Sequence, residues 1–196
     1  MKQDKRYIKT EKLIRDAFFE VLKNENYNNV TVDKICKKAL IGKNTFYSHY
    51  KNKDDFLFSV INGFTQDFAL FFKDNPPVPD INDDHSVEMF IDSFFYAIRN
   101  HEEEFLLLMK NDNQVNLSER ILVSAKKFYF DHLEKNVGPK ATDIKNVLLI
   151  ESLGAAIIRL QKSYLLHRNE ISLEEVVDLA KASYKDIVKQ INSFAP

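Results

Sequence analysis

Apolar residues along this chain recur mainly at three- and four-residue intervals, the period of an amphipathic helix. Leu13, Ile14, Ala17, Phe18, Val21 and Leu22 predict a first helix over about residues 7–23 with that face buried. A polar stretch at 24–29 then predicts a turn. Thr31 stands where an N-cap belongs, and Asp33 falls in the positive first turn of a short second helix ending near Ala39. Residues 40–42 make a tight connection, with Gly42 as the cap of a third short helix over 43–49. Asn52 caps a fourth, with Asp55 at the acidic position of a capping box. That fourth helix carries Phe56, Leu57, Val60, Ile61, Phe64, Phe68 and Phe72.

The Asn-Pro-Pro-Val-Pro run at 75–79 is the clear breaker, and a loop through Asp84 follows. Beyond it the pattern predicts a fifth helix over 87–99, a sixth over 101–111 and a seventh over 116–135. Gly138-Pro139 breaks the chain again. Thr142 is expected to cap a long eighth helix to His167. Ser172 and Glu175 form a capping-box pair opening a ninth helix to about Asn192. No strand pattern or internal repeat competes, so the expected fold class is all-α with about nine helices.

Composition agrees. Four Gly and five Pro in 196 residues, with 44% apolar and 29% charged residues, suit a helical globular protein. Cys36 is the only cysteine, which excludes an intrachain disulfide; it reads as a small buried hydrophobe. Residues 1–6 are polar and lack a signal-peptide pattern, and no apolar run is long enough to span a bilayer. A cytoplasmic location without membrane contact is the expectation. The net charge of −1 hides an asymmetry: residues 1–55 hold 13 Lys and Arg against 8 Asp and Glu, and the remainder holds 15 against 21. A basic front and an acidic rear suggest that the front meets phosphate.

Two short helices joined by a tight turn are what a helix-turn-helix requires. In the second of them Phe46 and Tyr50 share the buried face. Lys43, Asn44, Thr45, Tyr47, Ser48 and His49 are left to look outward, a set of donors and acceptors suited to phosphates and base edges. An ordinary solvated helix would show the same pattern.

The ordered features Thr31-Val32, Ile35, Ala39, Thr45-Phe46-Tyr47, His49-Tyr50, Lys51-Asn52-Lys53, Asp54-Asp55 and Leu57 strongly resemble the DNA-binding signature of the TetR family of bacterial transcriptional regulators. With the first helix the resemblance covers about residues 8–62. It implies a DNA-binding domain over 1–55 and a helical effector-binding and dimerisation domain over 56–196. It also implies a dimeric repressor released from a palindromic operator by a small-molecule effector. On this resemblance Thr31 and Lys53 would meet phosphates, Lys43 and Thr45 bases or nearby phosphates, and Asn44 a base. Tyr47 would meet a phosphate or a thymine methyl, and His49 the backbone. Leu40 replaces the family's usual turn glycine and implies a turn of another type; Gly42 replaces the usual capping Ser or Thr.

The resemblance implies dimerisation through the last two helices. The apolar stripe Leu149, Leu153, Ala156, Ile157 and Leu160, with Ile187 on the ninth helix, is the expected interface, unless it is core. An effector pocket is expected among Phe64, Phe68, Phe90, Phe94, Phe105, Met109 and Phe128, where the Phe content would suit an apolar or aromatic ligand. His101 beside Glu102–Glu104 and the Asp83-Asp84-His85 run lack a second histidine at ligand spacing, so no metal and no cofactor are expected. No phosphate-binding glycine loop or nucleophile elbow is present, which argues against an enzyme. A protein-partner module that kept the fold but lost DNA recognition is the competing reading.

Overall fold

The computed structural model describes residues 5–71, 83–137 and 143–193. Among these residues the chain forms helices and no strand. In chain order they are α1 (Lys5–Leu22), a 3-10 turn (Tyr27–Asn29), α2 (Val32–Ala39), α3 (Lys43–His49) and α4 (Lys53–Phe71). Then come α5 (Asp84–Lys110), α6 (Asp112–Val115), α7 (Leu117–Val137), α8 (Ile144–His167) and α9 (Leu173–Ser193).

Two compact units emerge. The first comprises the residues up to Gly63 together with Leu107–Asn116; the second comprises Phe64–Leu106 and the residues from Leu117 onward. One boundary falls inside α4 and another inside α5, so both helices run from one unit into the other.

The first unit is built on an aromatic core. Phe18 meets Phe56 edge-on at 5.0 Å between centroids, Tyr50 meets Phe56 at 5.1 Å, and Phe46 lies 5.8 Å from Tyr50. Ile14, Ile35, Leu57 and Ile61 fill the remaining space at no more than 1% exposure. Burying a ring of this size contributes roughly 1.5–3 kcal/mol each, which fixes α1, α3 and α4 against one another. Leu13 does not join them as its spacing suggested: it is 40% exposed, and Phe19 takes the buried place beside Phe18. Cys36 is buried on α2, and burial pushes its thiol pKa up, which leaves it a packing group.

Local chemistry sets the helix ends. Thr31 Oγ1 accepts from Lys34 N at 3.3 Å, and Asn52 Oδ1 accepts from Asp55 N at 2.8 Å. Asp55 completes its box one residue earlier than expected, with Oδ2 accepting from Lys51 N at 2.8 Å. The Ser172–Glu175 box is present in both directions: Ser172 N donates to Glu175 Oε2 at 2.9 Å and Glu175 N donates to Ser172 Oγ at 3.2 Å. Asp143 stands at the N-cap of α8, making no side-chain cap bond; Thr142 lies outside the described residues.

The fifth and sixth predicted helices meet where expected: α5 is two helical segments joined at a kink, where His101 has the non-helical φ −136°, ψ 33°. One expectation is corrected. The turn after α2 is left-handed after all: Leu40 adopts φ 56°, ψ 40°, the conformation the usual glycine would take. Packing of α2 and α3 imposes the geometry, and the leucine tolerates it with its side chain 92% exposed.

In the second unit α8 packs on α7 and α9. A Cβ added at Gly154 would come within 2.7 Å of Leu122 Cδ1, so that glycine is the seat of an α7 side chain within the same chain. Asp84 ties the start of α5 to α9 through Lys185 at 2.6 Å and Lys189 at 2.5 Å, and these bonds hold its carboxyl below its usual pKa.

Leu40 carries left-handed strain without any burial in return. Leu40→Gly is expected to stabilise the fold by about 0.5–1 kcal/mol after the entropy of the added glycine is subtracted. The check is the urea midpoint at unchanged slope, and a lowered midpoint contradicts the assignment.

Candidate nucleic-acid interface

The sequence places Phe46 and Tyr50 four residues apart, and both are buried against Phe56 of α4. That anchors the inner face of α3. Lys43, Asn44, Thr45, Tyr47 and Ser48 then form its exposed outer face. Gly42 caps the helix without a side-chain bond, and nothing lies within 4 Å of where its Cβ would be. Tyr47 packs its ring edge on Phe46 at 5.7 Å and keeps 53% of its surface exposed. Thr31 is exposed at the start of α2.

His49 is held more firmly than an outward residue. Its ring stacks on Tyr7 of α1 at 4.0 Å and 26°, and its Nδ1 is buried with no hydrogen-bond partner. Any contact from this ring to DNA therefore falls to Nε2. Tyr50 Oη donates to Glu11 Oε1 at 3.3 Å.

Lys43 is not a free cation. Its Nζ lies 3.0 Å from Asp33 Oδ1, while Asp33 Oδ2 takes Lys37 Nζ at 2.9 Å. The hydrogen bonds from Lys37 and Lys43 lower the Asp33 pKa, and the bond to Asp33 raises that of Lys43.

Lys53 is turned inward. Its Nζ donates to Tyr27 O at 2.8 Å and sits 4.0 Å from the Tyr27 ring centroid, and burial lowers its pKa. Tyr27 Oη in turn donates to Asp54 Oδ1 at 2.6 Å, so the turn before α2 is bolted to the start of α4.

The segment Leu107–Asn116 completes this fastening. The buried Asn111 accepts from Tyr27 N at 2.9 Å through Oδ1 and donates to Leu107 O at 2.9 Å through Nδ2. Gln114 Oε1 accepts from Asn28 N at 2.9 Å. Sequence reasoning missed both residues. Asn111 stands 84 residues from the amide it serves, and its buried polarity is the one signal that would have marked it.

Other expected positions divide. Phe64 and Phe105 are buried together at 4.3 Å, and Phe90 and Phe94 meet edge-on at 5.2 Å, all in the second unit. Met109 is buried but belongs to the first unit. The side chains of Phe68 and Phe128 lie outside those described. On α8, Leu153 and Ile157 are already buried in the single chain, Leu149, Ala156 and Leu160 are half-buried, and Ile187 on α9 is half-buried. His101 Nδ1 meets Glu104 Oε2 at 3.4 Å, and among the described residues no three metal-ligating side chains converge.

Residues 14–60 match the sequence profile of bacterial regulatory proteins of the tetR family. This segment is a TetR-family regulatory domain. The match covers the DNA-binding helices just described, from α1 into α4. An HTH-type transcriptional regulator of Staphylococcus aureus is 27% identical, over 93% of this chain and 96% of its own. The dhaKLM operon transcriptional activator DhaS of Lactococcus lactis is 24% identical, over 67% of this chain and 72% of its own. Among solved structures, the fatty acid degradation regulator FadR from Bacillus halodurans has a TM-score of 0.67 at 14% identity, covering 94% of this chain and 97% of its own. A TetR regulator from Streptococcus agalactiae has 0.60 at 22%, covering 91% and 95%. These structural likenesses establish that the TetR-family fold extends through the second unit. No described helix is long and apolar enough to cross a membrane.

Asn111→Ala leaves the Tyr27 amide buried without its acceptor. It is expected to cost about 1–3 kcal/mol, read by thermal or urea unfolding, and an unchanged midpoint contradicts it. Tyr50 gives a pH signature. Burial first, then the Glu11 charge, raise its pKa from 10.0 to about 12. The folded state thus holds this proton more tightly than the unfolded state. The resulting stability is complete below pH 10 and is lost as pH rises from 10 through about 12. Tyr50→Phe is expected to flatten the decline of melting temperature over that window; an equal slope in both proteins refutes it.

Proposed function

We propose that this TetR-family regulator is a homodimeric repressor that leaves a palindromic operator when a small apolar or aromatic effector binds. The observation that carries the DNA reading is the outer face of α3: a cation, an amide, two hydroxyls and a phenol, all exposed over a rigid aromatic anchor. Lys43, Asn44 and Thr45 meet base edges, and Tyr47 meets a phosphate or a thymine methyl. Thr31 donates to a phosphate, and His49 reaches the backbone through Nε2. Lys53 spends one N–H on Tyr27 O and keeps its others for phosphate.

The dimer forms through α8 and α9. Leu153 and Ile157 have little surface left to bury, so the half-buried Leu149, Ala156, Leu160 and Ile187 act with a more exposed face. Leu148, Ala155 and Leu166 share one side of α8, and Leu179 is exposed on α9. The effector site lies within the second unit near the Phe64–Phe105 and Phe90–Phe94 pairs. A ligand preferring one conformation shifts the dimer away from the spacing that fits successive major grooves, about 34–36 Å. The protein acts in the cytoplasm, without a cofactor and without catalysis. The DhaS relative is described as an activator, so a promoter–reporter fusion decides the sign of regulation.

Duplexes selected by the full-length protein from random DNA, then footprinted, are expected to show a palindrome with half-sites about one helical turn apart. Thr45→Ala and Tyr47→Ala are each expected to weaken binding at least about fivefold. Binding without sequence preference overturns the reading. Light scattering at micromolar protein is expected to give twice the 22.9 kDa chain mass; a stable monomer contradicts the dimer.

A further inference from the structure

We propose that Asp33 is a specificity-determining residue: it holds the Lys43 ammonium for base reading and keeps it from serving as a loose phosphate clamp. This rests on the DNA-reading role of α3 argued above. One carboxylate bridges both helices of the helix-turn-helix, with Oδ1 on Lys43 of α3 at 3.0 Å and Oδ2 on Lys37 of α2 at 2.9 Å. Asp33 also stands in the first turn of α2, where the helix dipole favours a negative charge. An acidic group on the reading face of a DNA-binding unit is a cost to any contact with phosphate, so its presence there needs a physical return.

Geometry supplies that return. A lysine side chain is rich in rotamer freedom, and a free one meets phosphate anywhere along a groove. Anchored by Asp33, Lys43 keeps two N–H bonds to offer and one restricted place from which to offer them. Guanine O6 and N7 accept from such a donor in the major groove. The pair is 58% and 43% exposed, so water screens it and its worth to folding is small. Its consequence lies in what it does to Lys43 at the DNA surface. Asp33 also cancels one positive charge, which lowers the sequence-independent attraction to DNA.

The test compares two duplexes of equal length: one selected from a random pool by the wild-type protein, and a scrambled copy of it. Affinities are measured with the full-length protein over a salt series. Asp33→Asn is expected to tighten binding to the scrambled duplex and steepen its salt dependence. The specific-to-scrambled affinity ratio is expected to fall about tenfold. In a Lys43→Met background the same substitution is expected to leave the ratio unchanged, because the lysine it positions is gone. A wild-type ratio near one refutes the DNA-reading role and this inference with it. A large wild-type ratio that Asp33→Asn preserves refutes the inference alone. So does an equal fall in both backgrounds, which would mark a general charge effect. Circular dichroism melts of each variant identify any loss of fold, and a variant that melts below the assay temperature is replaced by Asp33→Ser.

Discussion

The reading head depends on how one turn is fastened. Tyr27 has its amide, its carbonyl, its hydroxyl and its ring all engaged, by Asn111, Lys53, Asp54 and the edge of Phe18. Each of these groups would cost free energy if buried unpaired, so the turn has one satisfied arrangement. That arrangement fixes Val30 and the Thr31 cap, and so the direction in which α2 leaves. Since α2 carries Asp33 and supports α3, an error at Tyr27 would reach Lys43.

The fastening explains why the DNA-binding unit is not one continuous stretch of sequence. Leu107–Asn116 joins it because Asn111 and Gln114 supply acceptors that 24–29 cannot find locally. The chain enters this segment through α5 below its kink at His101 and leaves it through Asn116, which holds a left-handed φ of 52°. Under the proposed mechanism, this segment and α4 are the chain-continuous routes by which an effector would bias the reading head. Lys43 is restrained by Asp33, His49 by Tyr7 and Lys53 by Tyr27, so the polar groups proposed to meet DNA stand on a rigid support.

Much of this was legible in the sequence because it is local. The three–four spacing from Ile14 to Phe64 gave α1 to α4 within a residue or two, and α3 over 43–49 without error. Thr31, Asn52 and Ser172 announced their caps because a capping side chain acts within three residues. What was not legible is long-range. No local pattern ties Asn111 to Tyr27, nor Asp33 to Lys43 across the turn. Leu40 misled for the opposite reason: propensity argued against a left-handed leucine, and the packing of two helices overrode it. On α8, periodicity found the apolar stripe but could not divide it between core and surface, and Leu153 and Ile157 proved to be core of the single chain.

The central claim is that Asn111, from a distant part of the chain, holds the Tyr27 turn in place. Hydrogen exchange of the Tyr27 amide in the full-length protein tests it most directly. The account predicts protection comparable to the core amides of α1, because the N–H is buried on a side-chain acceptor. Exchange as fast as that of the exposed amides at 24–26 would contradict it.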